Sequence, residues 1–141
     1  MIVIASRNEL ELVGLTDEPI LITGIGAYNV INALKDVPRS TPILNIGYAG
    51  SNKLQVNTRC RIGLVKLYHP VANFQDRAFI LDGTTPCYTA GDFVTEANID
   101  EPCVFDMELA YILALGFYNV SAEKVVSDNL SVEEYESCLK K

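Results

Sequence analysis

The chain has 141 residues, 49% of them hydrophobic, and a formal net charge of −7 at pH 7. This length is enough for one hydrophobic core, so we expect a single domain over residues 1–141. The negative charge and the lack of a basic stripe argue against a nucleic-acid partner, and no uncharged run is long enough to span a membrane.

Strands and helices alternate along the chain. Apolar runs predict strands at residues 2–5, 19–23, 41–46, 61–67, 87–89 and 124–126. Helical patterns predict helices at residues 9–13, 27–34, 103–116 and 131–139. Several apolar runs lack strict alternation, which indicates strands that are buried on both faces of a largely parallel sheet. The order predicts an α/β fold with one open, mostly parallel or mixed twisted sheet that is flanked by helices.

Local signals refine this outline. The apolar start of the chain lacks a basic segment, so it predicts a first buried strand rather than a signal peptide, and we expect a cytoplasmic protein. Ser131 and Glu134 fit a capping box at the start of the last helix. Residues 68–86 predict a loop with one further strand at residues 78–81.

The cysteines do not form a metal-binding pattern. None has the Cys-x-x-Cys spacing, and only His69 could join them as a soft ligand, so we expect neither a zinc site nor any other metal or cofactor. We expect reduced thiols, mostly in the core, at Cys60, Cys87, Cys103 and Cys138.

Several polar or glycine-rich segments come directly after predicted strands. They are Glu9, the turns at residues 24–26 and 47–50, Phe93 and Asp128. In an open parallel sheet the carboxyl ends of the strands lie along one edge, where ligands bind. We therefore expect these segments to line one pocket.

The segment Asp106-Met107-Glu108 carries the clearest chemical signal. Asp106 suits the positive end of a helix dipole and is expected to cap the helix. Glu108 would project among apolar residues of the predicted helix, and a buried carboxylate costs free energy unless it is paired or put to use. We therefore expect Glu108 to act in a site.

The remaining candidates each admit a structural interpretation as well. Asp128 is a possible general acid if desolvation raises its pKa, or part of a polar turn before the last helix. Glu9 could act in a site or simply favour the first turn of a helix. Phe93 could stack on a ligand or fill the core, and His69 is expected in a loop rather than in a site.

The two glycine-rich segments can also be plain turns. Gly24-Ile25-Gly26 opens a helix as phosphate-binding loops do, but Asn29 stands where the dinucleotide fingerprint has its third glycine, which argues against such a cofactor. Gly47-Tyr48-Ala49-Gly50 would let the backbone approach a ligand closely, and a turn explains it almost as well.

In order and context these motifs resemble the nucleoside phosphorylase / nucleosidase family. They are most similar to the purine nucleosidases that act on methylthioadenosine and S-adenosylhomocysteine, and the resemblance spans most of the chain. The matching segments are Ile4-Ala5-Ser6-Arg7-Asn8-Glu9, Thr23-Gly24-Ile25-Gly26, Asn45-Ile46-Gly47-Tyr48-Ala49-Gly50, Thr89-Ala90-Gly91-Asp92-Phe93, Met107-Glu108 and Ser127-Asp128.

The resemblance implies hydrolysis of the N-glycosidic bond of a purine nucleoside or 5′-thio-purine nucleoside. Asp128 would protonate or hydrogen-bond N7 of the purine, and Glu9 would take a proton from the attacking water. Glu108 would hold ribose hydroxyls, and Phe93 would stack on the base. The other residues that the resemblance places at the substrate are Met107, Val94, Tyr48, Ala49, Gly50 and Ser127.

The nucleophile and the activity have alternatives. The family's phosphorylases bring an arginine to phosphate at the position of Asn45, so we expect water to be the nucleophile here. Tyr48 stands where the family has a small hydroxyl residue that faces the nucleophile site. A non-catalytic nucleoside- or base-binding protein and a phosphate-dependent phosphorylase are the alternatives. We expect a homodimer, because the family pairs subunits around the active site.

Overall fold

The computed structural model describes residues 1–70 and 76–140. The strands in these ranges are β1 Ile2–Ile4, β2 Ile20–Ile22, β3 Ile43–Ser51, β4 Arg59–Leu67, β5 Phe79–Ile80, β6 Thr85–Thr89, β7 Val104–Asp106 and β8 Val120–Asp128. The α-helices are α1 Leu10–Val13, α2 Ala27–Leu34, α3 Leu109–Ala114 and α4 Val132–Leu139. A 3₁₀ turn at Arg7–Glu9 leads into α1.

The strands form one mixed sheet, and the predicted α/β class is confirmed. Five strands pair in a closed ring: β3 with β8, β8 with β4, β4 with β6, β6 with β7, and β7 with β3. The β3–β7 and β4–β8 pairs are antiparallel, and the other three are parallel. β1 extends the sheet from β3 and carries β2 on its far side, while β5 pairs with β4.

The prediction of a single open sheet is wrong, because β3 pairs with three strands and two of these pairings belong to the closed ring. Its first residues pair with β1, most of its length pairs with β8, and Gly50 and Ser51 pair with β7. The pairing with β8 shifts register between Ala49 and Gly50. Such an irregularity bends a strand and raises its local twist. The end of β3 can therefore turn toward β7 and close the ring.

Two predicted elements need correction. The predicted helix at residues 103–116 is wrong in its first half, because Val104–Asp106 is strand β7 and α3 begins only at Leu109. A short apolar run does not distinguish a buried strand from a buried helix. The predicted turn at residues 47–50 lies inside β3.

Other bounds shift less. The helix at Ala27–Leu34 has its predicted bounds, and a strand is present at Phe79–Ile80. β8 begins at Val120 rather than at residue 124, and β4 begins at Arg59. Residues 71–75 of the predicted loop lie outside the described part of the chain.

The core has two main parts. One fills the ring and includes Ile62, Val65 and Val126, together with Leu109 of α3. The other lies between the sheet and helices α2 and α3, and its buried residues are Val3, Val30, Leu34, Ile43, Ile112 and Phe117. The four cysteines are free and buried, as predicted. No helix in the described ranges is long and apolar enough to cross a membrane.

The start of α4 ties this helix to the end of β8. Ser131 is the N-cap, and its Oγ accepts a hydrogen bond from the Glu134 N–H at 3.2 Å. The predicted return bond of the capping box is absent, because the Glu134 carboxylate accepts from the Asn129 N–H at 3.2 Å instead. The Ser131 N–H donates to Asp128 at 3.3 Å.

Candidate functional site

A pocket of about 190 Å³ lies where β1, β2, β6, β7 and β8 end. The sequence predicted a pocket at the carboxyl ends of the strands, and that is where the structure has this cavity. Every residue that the sequence predicts for the site lies on its wall: Glu9, Tyr48, Ala49, Gly50, Phe93, Val94, Met107, Glu108, Ser127 and Asp128. The chemical roles of these residues stay predictions. Phe105 and Tyr135 also line the pocket and were missed.

Glu9 is held by three backbone N–H groups. Its Oε1 accepts from Ala5 at 2.7 Å and from Ser6 at 3.3 Å, and its Oε2 accepts from Tyr48 at 2.7 Å. The residue is only 6% exposed. These contacts fix the carboxylate between the end of β1 and the middle of β3. A first-turn acid that only favoured a helix dipole would not need this environment.

The two glycines of the predicted turn make room for carboxylates. A Cβ on Gly47 would lie 2.6 Å from Glu9 Oε2, and a Cβ on Gly50 would lie 3.0 Å from Asp128 Oδ2. Both distances are shorter than ordinary van der Waals contact. Glycine is therefore required at these two positions because acidic side chains approach the backbone of β3 there. The chain does not turn at these glycines.

Asp128 is fully buried at the end of β8. Its Oδ1 accepts from the Ser127 hydroxyl at 2.6 Å, and its Oδ2 accepts from the backbone N–H groups of Leu130 at 3.0 Å and Ser131 at 3.3 Å. Burial raises the pKa of Asp128, and the Ser127 and backbone hydrogen bonds offset only part of that effect. The direction suits a group that must donate a proton near neutral pH.

The neighbour of Asp128 in the turn has an unusual backbone. Leu130 has a φ of +63°, in the left-handed region that residues with a side chain rarely adopt. Its N–H donates to Asp128, and a Cβ on Gly50 would meet its side chain at 3.3 Å. Strained backbone of this kind persists where surrounding contacts fix it. Asp128 is one such contact.

Glu108 lies between β7 and α3, and its side chain reaches the glycine-rich turn after β2. Its Oε2 accepts from the Gly26 N–H at 3.0 Å. Burial, and next the negative charge of Asp106, raise the pKa of Glu108 to about 7. The burial that the sequence predicted is present, although the reasoning from helical neighbours was wrong because residues 104–106 form a strand.

A buried ion pair underlies these acids, and the sequence reasoning missed it. Lys124 on β8 is 1% exposed, and its Nζ lies 3.1 Å from Asp106 Oδ2. Asp106 also accepts from the Thr89 hydroxyl at 2.6 Å and from the Leu109 N–H at 2.8 Å. Its side chain therefore caps the first N–H of α3, although the N-cap residue of this helix is Glu108. Burial alone would raise the pKa of Asp106, but the Lys124 ammonium and the Thr89 bond outweigh it and hold this pKa below its usual range.

We expect Glu108 to make stability fall with rising pH. Its pKa is raised from an ordinary 4.5 to about 7 in the folded chain. Between these values the folded state binds a proton that the unfolded state has lost, so the free energy of unfolding decreases as pH rises across this window and levels off above it. The contribution is on the order of 3 kcal/mol, since one pKa unit corresponds to about 1.4 kcal/mol.

Urea unfolding at several pH values between 4.5 and 8 measures this effect. In Glu108→Gln, which keeps an acceptor for the Gly26 N–H, the decline should be smaller by that amount. Parallel pH profiles for the wild type and Glu108→Gln would contradict the raised pKa.

Two aromatic side chains contact each other on the wall of the pocket. Phe93 follows β6, Tyr135 lies on α4, and their ring centroids are 5.4 Å apart with the planes tilted by 52°. Both line the cavity, and neither belongs to the apolar core. The structure therefore gives Phe93 a position in which stacking on a ligand is possible, rather than the core position that the sequence also allowed.

The Lys124 ammonium lies near the Glu9 carboxylate behind Gly47, but it is buried and paired with Asp106. No lysine or arginine is among the residues that line the pocket, within residues 1–70 and 76–140. Arg7 is exposed, and the Asn45 amide donates to the Val3 carbonyl at 3.0 Å, behind the pocket wall. The Tyr48 hydroxyl donates to Glu11, and burial together with this bond raises the pKa of Tyr48. An anionic co-substrate would find little stabilisation here.

His69 is not among the residues that line the pocket. His69 lies outside helices and strands, as predicted, and contacts Asp76 away from the cavity. Among the described residues, no group of three or more His, Cys, Asp or Glu side chains has an arrangement that could hold a metal ion.

Of the comparisons with known proteins, the one with solved structures gives matches. No protein-family model matches the sequence, and no curated protein does. Solved structures match over 99% of the chain. A methylthioadenosine/S-adenosylhomocysteine nucleosidase from Colwellia psychrerythraea, in complex with adenine, has 18% identity and a TM-score of 0.78 over 87% of its own chain. The corresponding nucleosidase from Chlamydia trachomatis, as a D161N variant, has 16% identity and a TM-score of 0.77 over 86%.

Two further matches extend the comparison. An S-adenosylhomocysteine nucleosidase from Streptococcus pyogenes, in complex with 5-methylthiotubericidin, has 15% identity and a TM-score of 0.76 over 89% of its chain. A futalosine hydrolase variant from Helicobacter pylori has 16% identity and a TM-score of 0.71 over 89%. Both alignments cover 99% of this chain. The fold that the sequence motifs predicted, that of the nucleoside phosphorylases and nucleosidases, is therefore the fold of this chain.

Proposed function

We propose that this protein hydrolyses the N-glycosidic bond of a purine nucleoside or a 5′-thio-purine nucleoside. The observation that carries the proposal is the meeting of Glu9, Glu108 and Asp128 in one cavity, with no basic residue among those that line it in the described ranges. Proteins of the same fold are nucleosidases of this kind, and one of them is in complex with adenine.

The three acids fit three different tasks. Breaking the C1′–N9 bond leaves electrons on the purine and positive charge on the sugar. Asp128, with its raised pKa, can give a proton to N7 and make the base a better leaving group. Glu108 can accept hydrogen bonds from the ribose hydroxyls, and its negative charge when ionised stabilises the cationic sugar.

Glu9 is the proposed base. Its Oε1 accepts two backbone hydrogen bonds, whereas Oε2 accepts one and keeps a lone pair for a water molecule. As water attacks C1′, its oxygen forms the new bond and one proton passes to Glu9. The proton that Asp128 gave to the base is replaced from solvent, and Glu9 releases the proton that it took. Atoms and charge therefore balance over one turnover.

Water is the proposed nucleophile because phosphate would bring negative charge among these carboxylates. Tyr48 also lies on the wall beside Glu9. Its backbone N–H donates to Glu9, and its hydroxyl donates to Glu11. A phosphorylase would need a cluster of basic groups at this place.

Release of free base tests the proposal. The purified chain is incubated with methylthioadenosine, S-adenosylhomocysteine, adenosine and inosine, with and without phosphate. We expect base to appear at the same rate in both conditions for at least one of the four. Release that requires phosphate would replace the proposal with a phosphorylase, and no release from any of them would reject both.

A non-catalytic binding protein is the second candidate, and one observation favours it. The side chain of Asp128 has no exposed surface, and both of its oxygens already accept hydrogen bonds within the chain. A purine would have to reach it through a small movement of the wall. Calorimetric binding of adenine or a nucleoside without any base release would support this candidate.

The proposed assembly is a homodimer. β2 is an edge strand, and its Ile20 and Ile22 are 38% and 40% exposed. Tyr28 on α2 is 81% exposed, and Leu15 is fully exposed. An exposed edge with apolar side chains favours pairing with another chain. Light scattering at micromolar concentration should give twice the mass of the chain, and the mass of one chain would contradict the dimer.

A further inference from the structure

Tyr135 lies on α4, whose N-cap residue, Ser131, donates a hydrogen bond to the proposed general acid. Asp128 accepts from the Ser131 N–H at 3.3 Å, and the Tyr135 N–H donates to the Ser131 carbonyl at 3.1 Å, one helical turn later. The position of the Tyr135 side chain is therefore fixed relative to Asp128. α4 also packs on β8, the strand that ends in Asp128.

Tyr135 lines the same cavity as Glu9, Glu108 and Asp128. Burial raises the pKa of Tyr135, and the negative charges of Glu9, Glu108 and Asp128 raise it further, Glu9 most among the three. The phenol is therefore neutral at physiological pH.

The hydroxyl has hydrogen-bonding capacity to spare. Among the described residues, the ring contacts Phe93, but no side chain or backbone group hydrogen-bonds the Tyr135 hydroxyl. A phenylalanine would make the same ring contact without a polar group to desolvate. An unpartnered hydroxyl on the wall of a pocket, beside carboxylates, points to a small polar ligand at that place.

We propose that Tyr135 holds the attacking water together with Glu9, an inference that rests on the proposed hydrolysis. The phenol oxygen accepts one O–H of the water, and Glu9 accepts the other. These two bonds direct a lone pair of the water oxygen toward C1′. Glu9 takes its proton as the C1′–O bond forms and the C1′–N9 bond breaks, whereas Tyr135 gains and loses no proton.

Tyr135→Phe tests this assignment, because it keeps the ring against Phe93 and removes only the oxygen. We expect kcat to fall about tenfold, as expected for the loss of one hydrogen bond in the transition state, with KM within about twofold of the wild type. Tyr118→Phe, at a residue that is 75% exposed, is the matched control and should leave both constants unchanged.

Competition between nucleophiles separates this role from a structural one. In dilute methanol a nucleosidase gives some methyl riboside beside ribose, and a water held by two acceptors favours ribose. We expect Tyr135→Phe to raise the share of methyl riboside at least about threefold, a change that corresponds to the free energy of one weak hydrogen bond. Thermal melting checks that the variant is folded.

The outcomes are distinguishable. An active wild type whose kcat and product ratio do not change in a folded Tyr135→Phe overturns the water-binding assignment and leaves the hydrolysis intact. If kcat falls but the product ratio is unchanged, the role of Tyr135 is structural and the assignment is also overturned. If the wild type releases no base from any nucleoside, the proposed function fails, and this inference fails with it.

Discussion

Base release is expected to fall about 10²–10⁴-fold in Asp128→Asn, the usual contribution of a general acid. The asparagine cannot donate a proton to N7, but its carbonyl oxygen can still accept from the backbone N–H groups of Leu130 and Ser131. The turn before α4 should therefore survive. The measurement is the initial rate of adenine release from methylthioadenosine, with a thermal melt to confirm folding.

The control for this variant is Asp100→Asn. Asp100 is exposed and lies outside the pocket, so its replacement should leave the rate within about twofold. A folded Asp128→Asn that keeps more than about a tenth of the wild-type rate would remove Asp128 from the chemistry. Asp128 would then serve only to hold Leu130 and the start of α4.

Lys124→Met is expected to have the largest effect on stability. The substitution keeps most of the side-chain volume but leaves the buried Asp106 carboxylate without its counter-ion, close to Glu108. Removing one partner of a buried ion pair typically costs about 3–5 kcal/mol, because a charge remains in a medium that solvates it poorly. Urea unfolding at pH 7 measures the loss, and the protein should unfold in less urea than the wild type.

Two further variants interpret that result. Lys53→Met removes an exposed lysine and should change the unfolding free energy by less than about 0.5 kcal/mol. Asp106→Asn in the Lys124→Met background should recover part of the loss, since it removes the uncompensated charge while keeping an acceptor for the Leu109 N–H. A loss below about 1 kcal/mol in Lys124→Met would show that the pair is not needed to hold the acids.

Local patterns in the sequence predicted the fold class and most elements, and the resemblance of its motifs to the nucleosidase family implied the residues around the pocket. Apolar runs and caps depend on neighbouring residues, which is why α2 and the start of α4 could be read directly. The closed ring of strands could not be predicted in this way. It depends on the pairing of Gly50 with Phe105 and on a register shift in β3, and these are contacts between distant parts of the chain.

Gly47 and Gly50 of β3 show most clearly what local sequence patterns cannot predict. Glycine in a short segment is typical of a turn, but at Gly47 and Gly50 the backbone is extended, and the reason for glycine lies in Glu9 and Asp128. No local pattern encodes that approach. The requirement becomes visible only when the two carboxylates are placed beside the strand.

Lys124 could have been found from the sequence. Ala122, Lys124 and Val126 alternate along β8 and are all buried, so a period of two would have placed the lysine on an inward face. A lysine in that position requires a buried acid, but only the structure shows that this acid is Asp106. Tyr135 offered no such signal, because its pocket position depends on how α4 packs against β8.

The central claim is that water attacks the sugar carbon in this pocket, and the oxygen of the freed sugar reports it directly. Wild-type protein is incubated with methylthioadenosine in water enriched in heavy oxygen, and the sugar product is analysed by mass spectrometry before its open-chain aldehyde exchanges oxygen with the solvent, with unlabelled 5-methylthioribose in the same water as the control. The account predicts free adenine together with a 5-methylthioribose that carries one heavy oxygen atom, and loss of both products in Glu9→Gln. A sugar 1-phosphate formed only with added phosphate, or an unchanged nucleoside, would contradict it.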